Sequence, residues 1–423
     1  PGIYTKLFLN EGGGNFIENP DVPFEQVFDG DIATSDIDGD GDMDLLICGW
    51  NASFKVRTSL YINQGNGTFL ENADNSLEDI SNGEVAFCDV DGDSDQDVFI
   101  VGQNAYFEDV AKLYLNDGEG VFEEFHGTHF MGVRFSAIGI GDFDNDNDQD
   151  VIISGSDSLS RPNTQLYINQ GNGAFNRDEN SNFQDVFDGT ISLSDVDGDA
   201  DQDILITGWA VMHIAKLYIN NGQGAFSQST EQNFLGVRDG STAFVDVDSD
   251  SDEDLLITGL NSSLESQVQL YTNDGSGKFM EMVTPIKSIY DGVAAFSDID
   301  GDNDSDLLII GRNSELGLIT TQYINESAQS SVFKFNKQSL SFKIYPNPVQ
   351  TNEISIFVTD FSINQLNIKL YNLEMQLVIE KRINSLSGGQ KYSLSSLNLS
   401  QGWYIMIISD DKGNYTQKTI IVI

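Results

Sequence analysis

Cysteine, histidine, proline and basic side chains are all scarce in this sequence: 423 residues hold 2 Cys, 3 His, 7 Pro and 21 Lys/Arg. Two cysteines, Cys48 and Cys88, cannot build a disulfide framework or a zinc site; two buried thiols are expected, with a single disulfide as the alternative. His126 and His129 stand three apart, which on an extended chain points them to opposite faces, so no shared zinc is expected. Against 67 Asp/Glu the net charge is −46, which excludes nucleic acid and anionic membrane surfaces as partners, because both need clustered Lys/Arg. No apolar run approaches the ~20 residues that cross a bilayer, so no transmembrane segment is expected. Helical periodicity is nearly absent; the apolar period is two, with turn residues every ~8–12 positions. Neither a Gly-x-Ser-x-Gly elbow nor a His-Glu-x-x-His helix occurs. The chain opens at Pro1 with no signal peptide, as expected of a processed chain or a fragment.

What the sequence does contain is an acidic nonapeptide written six times. Its aspartates are Asp36, Asp38, Asp40, Asp42 and Asp44; Asp89, Asp91, Asp93, Asp95 and Asp97; Asp142, Asp144, Asp146, Asp148 and Asp150. The later copies hold Asp195, Asp197, Asp199, Asp201 and Asp203; Asp246, Asp248, Asp250, Asp252 and Asp254; Asp298, Asp300, Asp302, Asp304 and Asp306. Successive first aspartates are 53, 53, 53, 51 and 52 residues apart. Five carboxylates on alternate residues repel one another unless a hard cation lies among them. Calcium suits an all-oxygen, flexible ligand set, whereas magnesium demands a tight octahedron and keeps its waters. By analogy with an EF-hand loop, position 7 (Asp42 and its equivalents) offers its backbone carbonyl and position 9 (Asp44 and its equivalents) binds through both oxygens. Position 6, where a tight turn favours Gly or Asn, reads Gly41, Ser94, Asn147, Ala200, Ser251 and Asn303, and the Ser and Ala copies are expected to bind more weakly. About six structural calcium ions are expected, each held at roughly 10⁻⁴ to 10⁻³ M.

Around each loop the pattern repeats. An apolar strand enters the loop, a second leaves it (Asp44 to Gly49), and an irregular segment follows. A third strand then ends in Asn (Leu113-Tyr-Leu-Asn116), and a Gly-x-Gly-x-Phe turn opens a fourth. Four short strands per ~50 residues, repeated, is the signature of a propeller blade. The fold class expected is all-β: a calcium-loop propeller of six acidic-loop blades plus an N-terminal half-blade, followed by a small immunoglobulin-like β-sandwich. The half-blade is the hairpin from Lys6 to Phe16, which lacks inner strands; a seven-bladed ring completed upstream and a six-bladed ring with a spare hairpin both fit.

The stretch from Phe342 to Ile423 holds seven Lys/Arg and six Asp/Glu, a net of +1, so the first 341 residues carry −47. That split divides the chain into a propeller over 1–330, a linker over 331–341 and a β-sandwich over 342–423. Six short strands are expected in the last part, from Glu353 onward.

The acidic loop, the Leu-Leu-Ile-x-Gly strand (Leu45 to Gly49, Leu255 to Gly259) and the Gly-x-Gly-x-Phe turn resemble the FG-GAP-like (VCBS) repeat family, calcium-loop propellers also seen in integrin α-subunit heads. The chain departs from that family in placing Asp at position 7 of every copy. The tail, with Tyr345-Pro-Asn-Pro348, Leu399-Ser-Gln-Gly402-Trp-Tyr-Ile and Gly413 followed by Lys418, resembles the type A C-terminal sorting domain of the type IX secretion system of Bacteroidota. That resemblance implies passage across the outer membrane by this machinery and release or anchoring at the cell surface.

In an up-and-down blade the calcium loops and glycine turns share one face, and the irregular segments gather on the other with Trp50, Phe54, Tyr106, Phe107 and Trp209. Exposed aromatics suit glycan or protein binding; alternatively Trp50 and Trp209 pack between blades. No carboxylate singles itself out as catalytic, so the expected function is a secreted, non-enzymatic binding or adhesion module. The alternative is the propeller part of a polysaccharide-degrading hydrolase or lyase, which requires non-loop carboxylates such as Glu108, Asp109, Asp157, Glu265 or Glu315 to converge.

Overall fold

The structure, a computed structural model, describes residues 3–325 apart from 13, 74, 231, 315 and 316, and then 342–345, 353–358, 363–372, 377–386, 391–395, 399, 402–410 and 415–422. The chain divides into two compact units, Pro1–Lys334 and Phe335–Ile423. The expected linker at 331–341 lies outside the described residues. Among the described residues no helix is long and apolar enough to cross a membrane.

The first unit is a β-propeller of antiparallel sheets. The second sheet is typical: Ile80–Cys88 pairs with Asp97–Asn104, then Asp109–Asn116, then Phe122–Glu124. The sheets led by Arg134–Gly141, Ile191–Ser194 and Thr242–Val245 repeat that order, and the first does so from Ile32–Ser35 with an added strand at Val27–Phe28. The sixth shows Tyr290–Ser297, Asp306–Arg312 and Leu318–Tyr323; its expected fourth strand at 332–335 lies outside the described residues.

Alternation explains the packing. Each second strand buries one side chain per face, so Leu46 and Cys48 meet Val98 and Ile100 of the next sheet, and Phe99 and Val101 meet Val151 and Ile153 of the one after. Burying a Leu, Ile or Val fully is worth about 1.5–3 kcal/mol, and every inter-sheet layer holds several. Cys48 and Cys88 are free and buried in these layers.

Two polar devices tie neighbouring sheets. In the second to sixth sheets the Asn at the end of the third strand donates to the preceding sheet's acidic loop: Asn116 Nδ2 to Ile37 O at 2.9 Å, Asn169 Nδ2 to Val90 O at 2.7 Å, Asn220 Nδ2 to Phe143 O at 2.9 Å. At the centre, a residue of positive φ opens each inner strand (Asp29, Asn82, Phe135, Asp188, Asp239, Asp291). Their backbones bond from sheet to sheet, Asn82 N donating to Asp29 O, Asp188 N to Phe135 O, Asp239 N to Asp188 O and Asp291 N to Asp239 O. Glycine follows five of the six; a Cβ at Gly83 would strike Val101 O, so this bulge is closed to larger residues.

The N-terminal hairpin, Leu7–Asn10 with Phe16–Asn19, lies between the sixth sheet and the first. Asn10 Nδ2 donates to Ile299 O in the sixth sheet's loop, and Asn19 Nδ2 donates to Gly67 O in the first sheet's glycine turn.

The second unit is a β-sandwich. One sheet orders Phe342–Tyr345, Glu353–Val358 and Lys391–Ser395; the other orders Leu377–Leu386, Ile363–Asn372, Gly402–Asp410 and Tyr415–Val422. Ile354, Ile356 and Leu394 of the first meet Leu366, Ile368, Leu370, Tyr404 and Met406 of the second. Seven strands form it rather than six, because Phe342–Tyr345 pairs in register up to the residue before Pro346.

Candidate metal centre

All six nonapeptides fold alike, linking an inner strand to a second strand. The carboxylate at position 1 ties up the turn: Asp89 Oδ1 accepts from Gly92 N at 2.8 Å and its Oδ2 from Ser94 N at 3.1 Å. Position 5 accepts from position 7, as Asp93 Oδ1 does from Asp95 N at 3.0 Å. Positions 4 and 6 both take positive φ in every copy, including Ala200 at 72° and Ser251 at 76°. Those non-glycine residues carry strain of roughly 1–2 kcal/mol.

The five aspartates do not share one job. Carboxylate oxygens of positions 1, 3 and 5 lie within 4.8 Å of one another in the first, third, fourth and fifth copies; in the second the group is Asp89, Asp91 and Asp97. The position-7 carboxylate turns aside and lies over the glycine turn, Asp42 beside Gly65 and Asp95 beside Gly118, leaving its carbonyl to the loop. Position 9 is buried and structural: Asp97 Oδ2 accepts from Val90 N at 3.0 Å and its Oδ1 from Asn116 N at 2.9 Å, a pattern kept in all six sheets. Each of those oxygens retains a second lone pair.

Position 3 is the anomaly. Oδ1 of Asp38, Asp91, Asp144, Asp197, Asp248 and Asp300 is buried and has no hydrogen-bond partner, in six copies out of six. Burial, and then the neighbouring carboxylates, push Asp91, Asp144, Asp197, Asp248 and Asp300 above the usual carboxylate range. Burial raises position 9 as well, to about 6 for Asp97 and about 7 for Asp150, Asp203 and Asp254, despite two amide hydrogen bonds each. A buried acceptor with nothing to accept costs about 1–3 kcal/mol. A hard cation among positions 1, 3 and 5 removes that cost, so this donor set fits calcium.

The FG-GAP-like repeat model matches residues 36–100, 89–153, 195–257 and 246–309, more than half of the chain. The chain belongs to the FG-GAP-like repeat family. Residues 343–422 match the secretion system C-terminal sorting domain, which directs export by the type IX system to the cell surface or the extracellular space. No curated protein matches the chain. Among solved structures it is similar to exo-inulinase from Aspergillus awamori, at 11% identity over 95% of this chain and 92% of that one with a TM-score of 0.32. It is also similar to dimeric latent PorU from Porphyromonas gingivalis, at 10% identity over 96% of this chain and 35% of that one with a TM-score of 0.18. Neither score is high enough to carry an argument.

On the face of this FG-GAP-like propeller away from the acidic loops, four of the six segments expected to be irregular are regular. After Asn51, Asn104, Asp157 and Asn261 the chain makes one five-residue turn; Asn51 Oδ1 accepts from Ser53 N and Lys55 N, and Asn104 Oδ1 from Tyr106 N and Glu108 N. The fourth turn residue has positive φ, and it is Phe54, Phe107, Ser160 and Leu264. A bulky side chain there is strained, and such strain clusters at functional sites. Phe54 and Tyr106 are 76% and 81% exposed, and Phe107 is exposed beside them. Trp50 is half-buried against Phe107 of the next sheet, ring centroids 6.2 Å apart, and Trp209 is half-buried against Phe187 at 5.0 Å. Trp50 therefore packs between blades, whereas Trp209 packs on Phe187 of its own sheet, with which it pairs; of the five aromatics the exposed ones are the other three.

Among the described residues, the non-loop carboxylates whose convergence a catalytic site requires do not meet. Asp109 pairs with Arg134 at 2.8 Å, Asp157 with Arg161, Glu108 receives Asn104 Nδ2, and Glu265 stands on another turn; Glu315 lies outside the described residues. A different set meets at the centre of the ring, where Asp29, Asp31, Glu84 and Asp291 line a cavity of about 730 Å³ with Thr190, Ser192 and Thr242. The repeated Asp-Gly or Asn-Gly seven residues before five of the six loops is the sequence signal that locates this rim. His126 and His129 flank a bend rather than lying on a strand and line one groove together, which corrects the opposite-face expectation.

Burial and then the charge of Asp31 push Glu84 up to about 8. The folded chain therefore keeps a proton that the unfolded chain sheds near pH 4.5, and stability falls as pH rises from there through about 8. Glu84→Gln removes that loss: in saturating calcium, the drop in melting temperature between about pH 5 and about pH 8.5 should be smaller than in the parent. An equal drop in both proteins would show that Glu84 does not hold the proton.

Proposed function

We propose that this chain is an exported calcium-binding propeller that acts as a binding or adhesion module for a glycan or protein. The six unpartnered position-3 oxygens carry the calcium part of this reading, since one stranded acceptor is an accident and six in equivalent places are a design. Positions 1, 3 and 5 supply carboxylates, position 7 its carbonyl and position 9 its remaining lone pairs; thirty aspartates in all. Because each loop is bonded to the next sheet through Asn116 and its equivalents, an ion that stiffens a loop also stiffens the joint between blades. The face away from the loops then presents Phe54, Tyr106 and Phe107 on a rigid frame, where stacking on sugar rings or apolar protein surface is supplied without loss of loop entropy.

A glycan array probed with and without calcium identifies the ligand. The combined variant Phe54→Ala, Tyr106→Ala and Phe107→Ala should weaken binding to it by more than about ten-fold while moving stability by less than about 1 kcal/mol, because the rings are exposed. Binding that survives the triple substitution places the ligand elsewhere.

A second reading, a polysaccharide hydrolase or lyase, draws on the central cavity, where one buried carboxyl holds a proton beside a second carboxylate. Polysaccharide cleavage abolished by Glu84→Gln would establish it; an unchanged substrate panel would remove it.

A further inference from the structure

On the face away from the acidic loops, one row of aromatic rings runs without a break from the first sheet into the second. Phe28 lies opposite Trp50 in an antiparallel pair, which puts both side chains on one side of the first sheet. Phe54, at the tip of that sheet's turn, meets Phe28 edge-on with ring centroids 6.1 Å apart. Phe107, at the tip of the second sheet's turn, meets Trp50 at 6.2 Å. Phe28 and Trp50 are half-buried, whereas Phe54 and Phe107 are 76% and 69% exposed. The row therefore has a recessed middle between two protruding ends, and both ends stand on backbone of positive φ.

Other sheets do not repeat it. The pairs equivalent to Phe28 and Trp50 are Ser81 with Gln103 in the second sheet, Arg134 with Ser156 in the third and Arg238 with Leu260 in the fifth. The fourth sheet has Phe187 opposite Trp209, but Ala210 stands where the turn's anchoring Asn would be, and the next tip is Leu264.

The groups beside the row are either neutral amides or charges already engaged. Gln103 takes the place of Trp50 in the second sheet, with Nε2 donating to Asp109 Oδ1 at 3.2 Å. Asn82 stands where four of the other five sheets have aspartate. At this end of the first three sheets Arg57 binds Asp79, Arg134 binds Asp109 and Arg161 binds Asp157. A uronate or sulfate meets none of these guanidinium groups uncommitted, and it approaches a chain of net charge −46. A cationic segment likewise finds those three carboxylates occupied. What the row offers is stacking surface and neutral hydrogen-bonding groups.

We propose that this row binds a neutral β-1,4-linked hexose chain. The inference rests on the reading that this face binds a ligand, and it names the ligand's class. Pyranose C–H faces stack on Phe54, Trp50 and Phe107, because the electron-rich ring face attracts their hydrogens. Gln103 and Asn82 exchange hydrogen bonds with hydroxyls, which an apolar protein surface would leave unused. A β-1,4 chain is flat and presents one C–H face after another along a line, as successive rings in a row require.

The test titrates the full chain in about 10 mM calcium with cellohexaose, β-1,4-mannohexaose and the C6-oxidised uronate form of cellohexaose, following tryptophan emission. At least one neutral hexamer should bind saturably, and the uronate should bind more than about ten-fold more weakly. Trp50→Phe keeps an aromatic ring and should hold affinity within about three-fold while abolishing the emission change; Trp209→Phe should keep both. Phe107→Ala, at an exposed ring, should weaken binding by more than about ten-fold, and Phe107→Tyr should restore it. No binding of either neutral hexamer, equal binding of the uronate, or an emission change that survives Trp50→Phe overturns the proposal. A lysine-rich peptide that binds instead and is lost with Phe107→Ala also overturns it, yet leaves this face as the binding face. A neutral hexamer indifferent to Phe107→Ala overturns both.

Discussion

In EDTA the melting temperature of the propeller should fall by more than about 10 °C relative to about 10 mM calcium. The size follows from mass action. At a Kd of about 10⁻³ M, RT ln(1 + [L]/Kd) is about 1.4 kcal/mol per ion, and six ions sum to roughly 8 kcal/mol, comparable with the whole stability of an ordinary domain. The loops that lose the ion keep their amide hydrogen bonds but are left with the buried oxygens of Asp38, Asp91 and their four equivalents facing other carboxylates. A melting temperature unchanged by EDTA would mean that the loops hold themselves without a cation.

The second large effect separates two aspartates six residues apart. Asp203 accepts from Val196 N at 3.1 Å and from Asn220 N at 2.8 Å, whereas Oδ1 of Asp197 has no partner. Asp203→Ala leaves two buried amides unpaired and should cost about 2–5 kcal/mol in EDTA, with the share of one ion added in calcium. Asp197→Asn keeps the shape and removes one charge from the cluster. In EDTA it should be neutral or slightly stabilising; in calcium it should cost one ion's share, about 1.4 kcal/mol. Denaturant unfolding in the two buffers reads both. Asp203→Ala that is harmless in EDTA would contradict the structural role of position 9, and collapse from Asp197→Asn would contradict blades that bind nearly independently.

These two roles show where the sequence can be read and where it cannot. The nonapeptide, the Leu-Tyr-Ile-Asn strand and the Asn-x-Gly turn are local patterns, repeated, and their period alone leads to a propeller blade. The alternation along Asp44–Asn51 likewise announces a strand buried on both faces. The double duty of position 9 is not local: it depends on an Asn amide seventeen or nineteen residues later, brought back by the hairpin between the second and third strands. Turns such as Asn51 to Lys55 looked irregular because the tip varies among Phe, Ser and Leu while the conserved element is backbone geometry anchored by one Asn or Asp. The pairing of Asp31 with Glu84 joins neighbouring sheets through burial, and nothing in either residue's own neighbourhood signals it. The hairpin at Leu7–Asn10 was legible as outer strands, but its contact with Ile299, 289 residues away, needed the sixth sheet brought round beside it.

Calcium counted per chain after equilibrium dialysis at about 10 mM tests the central claim most directly. The account predicts about six ions on the parent and one fewer on Asp197→Asn. Parent protein that retains none, or that retains as many after the substitution, would contradict it.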